Sequence, residues 1–169
     1  AGFTFFGGLI GGLIGVFVVT RMRQLALPPI LDAIGLALPV GYGIGRIGCQ
    51  LAGDGDYGAP SDLPWAMAYP DGIVPTQERV HPTPVYETLS SFLIFGALWH
   101  LKSRFERPGQ LFCAYLVLAG FARFLVEFVR INPPILFGLS DAQVIAALMT
   151  GLGAVWLLVD HNRMKVNAA

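Results

Sequence analysis

The sequence predicts an all-α protein, a polytopic integral membrane helical bundle with about five transmembrane helices. Three observations carry this. Only 13% of the 169 residues are charged, against about 25% in a soluble domain. Hydrophobic residues make up 54%, and the mean hydropathy is +0.62. Apolar stretches of roughly 20 residues, the length needed to cross a bilayer, recur along the chain.

Residues 1–20 carry no charge and form the first predicted span. The second, 26–46, holds only Asp32 before Arg46. The third runs over 84–101, the fourth over 109–130, and the fifth over 139–159, uncharged from Ala142 to Val159. Residue 1 is Ala, and no charged n-region of a signal peptide precedes the first apolar run, so an incomplete chain is expected. Arg21, Arg23, Lys102, Arg104, Arg107, Arg163 and Lys165 all fall on one side of an alternating five-span topology. The positive-inside rule makes that side, and the C-terminus, cytoplasmic. The whole chain, 1–169, is then a single membrane-embedded domain with a long outward-facing loop at about 47–83. Loops of that length in compact chains usually carry function. Gly7, Gly11 and Gly15 recur at every fourth position, a pattern expected to pack one helix closely on another.

Lys+Arg and Asp+Glu both count 11, and no basic patch points to nucleic acid. Cys49 and Cys113 lie in apolar surroundings with no second Cys or His at ligand spacing. They support neither a disulfide framework nor a metal site.

Charges inside the spans are the functional signal. Arg123, Glu127 and Arg130 share one face of the fourth helix at 3.6 residues per turn. A charge deep in a bilayer costs several kcal/mol, so such residues face protein, water or an anionic ligand. Glu127 neutralises one guanidinium, and the expectation is that a positive charge remains for an anionic headgroup. A salt-bridge network between helices is the competing structural explanation. The second span ends in GYGIGRIGCQLAGDGDYG, residues 41–58. Its glycines Gly41, Gly43, Gly45 and Gly48 predict a helix end where backbone approaches something closely. Arg46 among them is a bidentate phosphate partner, with Asp54 and Asp56 near enough to orient it or act as bases. In HPTPVYETL, residues 81–89, His81 can serve as a base near neutral pH. Tyr86 and Glu87 open the third span, where a helix N-terminus favours the carboxylate. His100 and His161 are read as interfacial and structural, and Asp32 as a buried acid.

Together GRIGCQLAGDGDYG, HPTPVYE and RFLVEFVR, preceded by FTFFGGLIG at residues 3–11, resemble the prolipoprotein diacylglyceryl transferase family of bacterial inner membranes. The resemblance implies seven spans, N-terminus outside and C-terminus inside, of which two upstream are absent here. It implies transfer of the diacylglyceryl group of phosphatidylglycerol to the lipobox cysteine of a preprolipoprotein signal peptide, without a cofactor or metal. It assigns catalysis to Arg46, Asp54, His81, Arg123 and Glu127. Substrate binding falls to Arg46, Gly48, Gly58, Tyr86, Glu87, Arg123 and Arg130. Cys49, Gln50 and Ala52 replace Asn, Phe and Asn of the family signature, and Asp54 stands for its Glu. Phe6 stands where well-studied members carry a catalytic His, and Ala119 where they carry Tyr. Phe6 cannot exchange a proton, so the base falls to His81 or Asp54. Two other functions fit the arginines: a non-catalytic homologue that binds an anionic phospholipid, and a small-anion transporter.

Overall fold

A computed structural model describes residues 2–135 and 138–167, with side chains from residue 11 onward except 161 and 163–167. The Phe6 side chain and the side chains of His161, Arg163 and Lys165 therefore lie outside the described residues. Five α-helices form: α1 (Gly2–Met22), α2 (Leu27–Ala52), α3 (Thr83–Leu101), α4 (Gln110–Glu127) and α5 (Asp141–Asn167). They match the five predicted segments. Leu27–Ala52, Gln110–Glu127 and Asp141–Asp160 are long and apolar enough to cross a membrane.

Helix α2 outruns its predicted end. It continues through Gly41, Gly43, Gly45 and Gly48 and stops at Gly53, whose φ of 59° places it in the left-handed cap conformation. Each glycine costs up to about 1 kcal/mol against alanine in a helix. One of the four repays it by packing: a Cβ at Gly43 would sit 3.3–3.4 Å from Phe92 and Ser91 of α3, whereas Gly41, Gly45 and Gly48 meet nothing within 4 Å. The predicted close approach therefore holds at Gly43 alone.

Of the glycine ladder of α1, the surroundings of Gly7 and Gly8 lie outside the described residues. Gly11, Gly12 and Gly15 have nothing within 4 Å, so among the described residues the expected close packing is absent at these three. Close glycine packing instead ties α4 to α5. A Cβ at Gly120 would lie 2.7 Å from the Ala146 carbonyl, and one at Gly153 2.7 Å from the Cys113 carbonyl. These two helices run antiparallel, as do α2 and α3, while α2 and α4 run parallel.

Asp32 ties α2 to the start of α4. Its carboxylate accepts the Gly109 N–H at 2.7 Å and the Phe112 N–H at 2.9 Å, and Gly109 itself offers no side-chain cap. The sequence marked Asp32 as a buried acid; it is a helix cap supplied by another helix. Capping carboxylates contribute about 1 kcal/mol. Asp32→Ala is expected to lower the thermal midpoint in detergent by about 2–4 °C, with an unchanged midpoint disproving the capping role. At the same end Asp160 of α5 takes Arg107 at 2.8 Å and Gln110.

The segment between α2 and α3 folds into a hairpin, β1 (Met67–Tyr69) with β2 (Thr76–Val80). Tyr57 and Tyr69 stack with centroids 4.0 Å apart and, with Val80, form its small core. Burial pushes both phenols up. This loop is clasped to the turn after α4, where Gly58 bridges Arg130, and to its own hairpin, where Pro60 bridges Val80. The Ala59 N–H donates to the Val129 carbonyl at 2.8 Å, and the Gly58 N–H to the His81 carbonyl at 2.9 Å. The C-terminal end of α2, the N-terminal end of α3, the C-terminal end of α4 and the loop thus meet at one place.

Candidate functional site

Four segments contribute charges to that meeting point: Arg46 from α2, Asp56 from the loop, Glu87 from α3, and Arg123, Glu127 and Arg130 from α4 and the turn after it. Glu87 is the hub. Only 2% exposed, it contacts Arg46 Nε at 2.8 Å through Oε2, Arg123 Nη1 through Oε1, and Arg130 Nη1 at 3.6 Å. Thr83 and Pro84 bury the first turn of α3, which fixes Glu87 facing α2 and α4. Glu127, 4% exposed, takes Arg123 Nη2 at 2.9 Å and lies 3.8 Å from Arg130 Nε. Its other oxygen accepts from Asn132 and, at 2.9 Å, from the Ser140 hydroxyl ahead of α5.

Asp56 closes the cluster from the loop side. Oδ2 pairs with Arg46 Nη1, and Oδ1 with Arg130 Nη2 at 2.6 Å. Burial pushes this carboxyl up, but the hydrogen bonds and charges of Arg130 and Arg46 outweigh it and hold Asp56 below the usual aspartate value. Asp54 does not touch an arginine: its Oδ1 accepts the Asp56 N–H at 3.2 Å and shapes the turn. Three guanidiniums therefore face three carboxylates. The expected leftover positive charge on the α4 stripe is absent among the described residues, because Glu87 and Asp56 arrive from other segments to balance it. Buried charges need such partners, since desolvating an unpaired one costs several kcal/mol. Hydrogen-bonding capacity remains all the same: Arg130 Nε and Nη1 make no hydrogen bond among the described residues.

Arg130 is not on the helix. Helix α4 ends at Glu127, and Arg130 lies in the bridge to Gly58, so the predicted shared face extends through a turn. Tyr42 joins the cluster although it is not among the predicted site residues. Its hydroxyl donates to Glu87 Oε1 at 2.9 Å and accepts from Arg46 Nε at 3.0 Å. The spacing of four from Arg46 on one helix was the available signal.

His81 and Tyr86 form a separate pair. His81 Nδ1 lies 3.2 Å from the Tyr86 hydroxyl, which accepts from Trp65 Nε1 at 2.8 Å. Among the described residues no hydrogen bond or ion pair joins His81 to the arginines. Gly58 is required where it stands: a Cβ would meet the Val129 carbonyl, His81 Cβ at 2.7 Å and Thr83 Cγ2 at 3.0 Å. Gly48 is exposed and uncrowded. Cys49 Sγ lies 3.7 Å from Arg46 Nη1 and near both Asp54 and Asp56. Both Asp56 oxygens are on arginines, so Asp56 belongs to the ion-pair cluster while Cys49 and Asp54 lie beside it.

The family model for prolipoprotein diacylglyceryl transferase matches residues 1–159. The chain belongs to this family. It is 37% identical over 99% of its length to a relative from Chromohalobacter salexigens, covering 63% of that protein. A Clostridium tetani relative is 34% identical over 97% of this chain and 66% of its own. One from Nitratidesulfovibrio vulgaris is 37% identical over 95% and 61%. All three are named phosphatidylglycerol–prolipoprotein diacylglyceryl transferase. The chain thus spans less than two thirds of these relatives' length. No solved structure matches it. Family membership and its apolar helices make this transferase-family chain a multi-pass membrane protein.

Proposed function

We propose that the protein transfers the diacylglyceryl group of phosphatidylglycerol to the thiol of a lipobox cysteine in a preprolipoprotein signal peptide. The observation that carries this is the convergence of Arg46, Arg123 and Arg130 from separate segments in a chain of this family. Preorganised cations hold the lipid phosphate and the charge that grows on it as the bond breaks. The cysteine sulfur forms a bond to the glyceryl carbon, and the carbon–oxygen bond to phosphate breaks. Glycerol phosphate leaves with the electron pair. The thiol proton goes to a group outside the arginine cluster, and Asp54 and His81 meet that condition. Glu87, Glu127 and Tyr42 keep the guanidiniums in place, and Gly58 keeps Arg130 at the loop. Gly48 leaves α2 uncovered beside Arg46, and Tyr86 orients His81.

On this reading the protein lies in the bacterial inner membrane as one membrane-embedded domain. The loop and the arginine cluster are on the outer side, and the C-terminus is cytoplasmic. The basic residues Arg21, Arg23, Lys102, Arg104 and Arg107, all near the opposite end of the bundle, support that orientation. The test is mass spectrometry of a lipobox peptide incubated with phosphatidylglycerol and the protein. A gain of one diacylglyceryl group is expected with the native protein. Arg46→Ala, which also releases Asp56 and Glu87, is expected to cut the rate at least a hundredfold, the scale seen when one preorganised donor is removed. Unchanged transfer by Arg46→Ala sinks the proposal.

A further inference from the structure

We infer that Asp56 is a tethered stand-in for the lipid phosphate, seated between Arg46 and Arg130, and that an incoming phosphodiester displaces its carboxylate. This rests on the transferase reading and adds to it where the anion sits and what guards the seat.

Of the three acids in the cluster, Glu87 and Glu127 are all but fully buried, while the Asp56 side chain is 36% exposed. A ligand arriving from outside meets Asp56 first. Its two oxygens each hold a guanidinium from a different segment, Arg46 from α2 and Arg130 from the turn after α4. Two oxygens of one anion bridging two arginines is also how a phosphodiester is gripped. The charge count adds a second argument. With three carboxylates against three guanidiniums, a bound monoanion leaves the cluster one negative charge in excess unless one carboxylate withdraws.

The backbone shows how it withdraws. Thr83, fully buried, donates its hydroxyl to the Asp56 carbonyl at 2.5 Å, and Gly58 is wedged against Val129 and His81. The main chain at Asp56 is held from both sides, so the carboxylate leaves by turning about its own side-chain bonds. The loop does not open. Once it has turned, Arg46 Nη1 and Arg130 Nη2 are free to bind phosphate oxygens. Arg130 Nε and Nη1 stay buried against Glu127 and Glu87 and keep the guanidinium aimed at the seat. The arrangement makes Asp56 a competitor built into the site, one that sets affinity for the lipid and excludes weakly held anions.

The test is calorimetric titration of dihexanoyl phosphatidylglycerol, and separately of inorganic phosphate, into the full chain in zwitterionic detergent. Native protein, Asp56→Asn and Asp56→Ser are compared. Losing the competing charge at two partly exposed ion pairs is expected to tighten phosphatidylglycerol binding by about three- to tenfold. Unchanged or weaker binding by folded variants overturns the inference. Tightening for inorganic phosphate alone overturns the lipid assignment in favour of a free-anion seat. Native protein that shows no saturable phosphatidylglycerol binding overturns the transferase reading itself, a different result from binding that ignores Asp56. A measurement on the native protein covers variants that do not fold. With 13C-labelled aspartate, infrared difference spectra are expected to show a carboxylate band shift on adding the lipid, and its absence overturns the displacement.

Discussion

Glu87→Gln is expected to be the most damaging conservative change in the chain, lowering the thermal midpoint by roughly 10 °C and abolishing transfer. The substitution keeps the shape of the side chain and removes one charge. Glu87 contacts all three arginines of the cluster, and at 2% exposure water cannot take its place. Removing one partner of a buried ion pair typically costs about 3–5 kcal/mol, because the remaining charge stays desolvated and unpaired. For a chain of this size each kcal/mol moves the midpoint by about 2–4 °C. The measurement is thermal unfolding in detergent with the lipidation assay run beside it. Arg123→Ala on its own should cost a similar amount, since it strips Glu87 and Glu127 together. Combined with Glu87→Gln it should cost clearly less than the sum, as residues in one network do. Additive losses, or a midpoint shifted by under 2 °C, contradict the hub role.

The second large effect is expected at Gly58. A methyl group there meets the Val129 carbonyl on one side and the His81 and Thr83 side chains on the other. None of these is the far end of a flexible side chain, so the segments have to part. Gly58→Val should break the bridge to Arg130, release the Asp56 contact and leave helix content unchanged by circular dichroism. Limited proteolysis should then cut within residues 59–79, where the native protein resists. Because the helices persist, loss of transfer in this variant separates the clasp from the bundle. A protease-resistant, active Gly58→Val protein shows that the clasp is dispensable.

Much of the fold was legible in the sequence. Runs of apolar residues long enough to cross a bilayer dictate helices, since the backbone must satisfy its own hydrogen bonds there. The cluster was legible in part. Arg123 and Glu127 were paired by helical spacing alone, and Arg46 stood out as an isolated charge among glycines. What the spacing does not contain is which residues from other segments close the circuit. Asp54 and Asp56 are equivalent in a string of letters. Only the turn that Asp54 makes with the Asp56 N–H separates the one that shapes the loop from the one that meets the arginines. Glu87 looked like a charge suited to a helix N-terminus, and its burial depends on how α3 leans against α2 and α4. The glycines of α2 misled for a related reason. Local propensity argues for a break, whereas packing at Gly43 and the ties that Arg46 makes keep the helix running. Tertiary contacts decide such contests, and composition does not record them.

The Asp32 cap and the arginine cluster are also two rungs between the parallel rails α2 and α4. The lower rung joins Asp32 to Gly109, and the upper joins Arg46 through Glu87 to Arg123. The interval from Asp32 to Arg46 equals that from Gly109 to Arg123, so the rungs sit level. A one-residue insertion in either rail turns everything above it by about 100° and lifts it by about 1.5 Å, carrying an arginine off its carboxylate. Length between the rungs is therefore as constrained as residue identity. Insertions there are expected to survive only in matched pairs, one in each helix and a whole number of turns long.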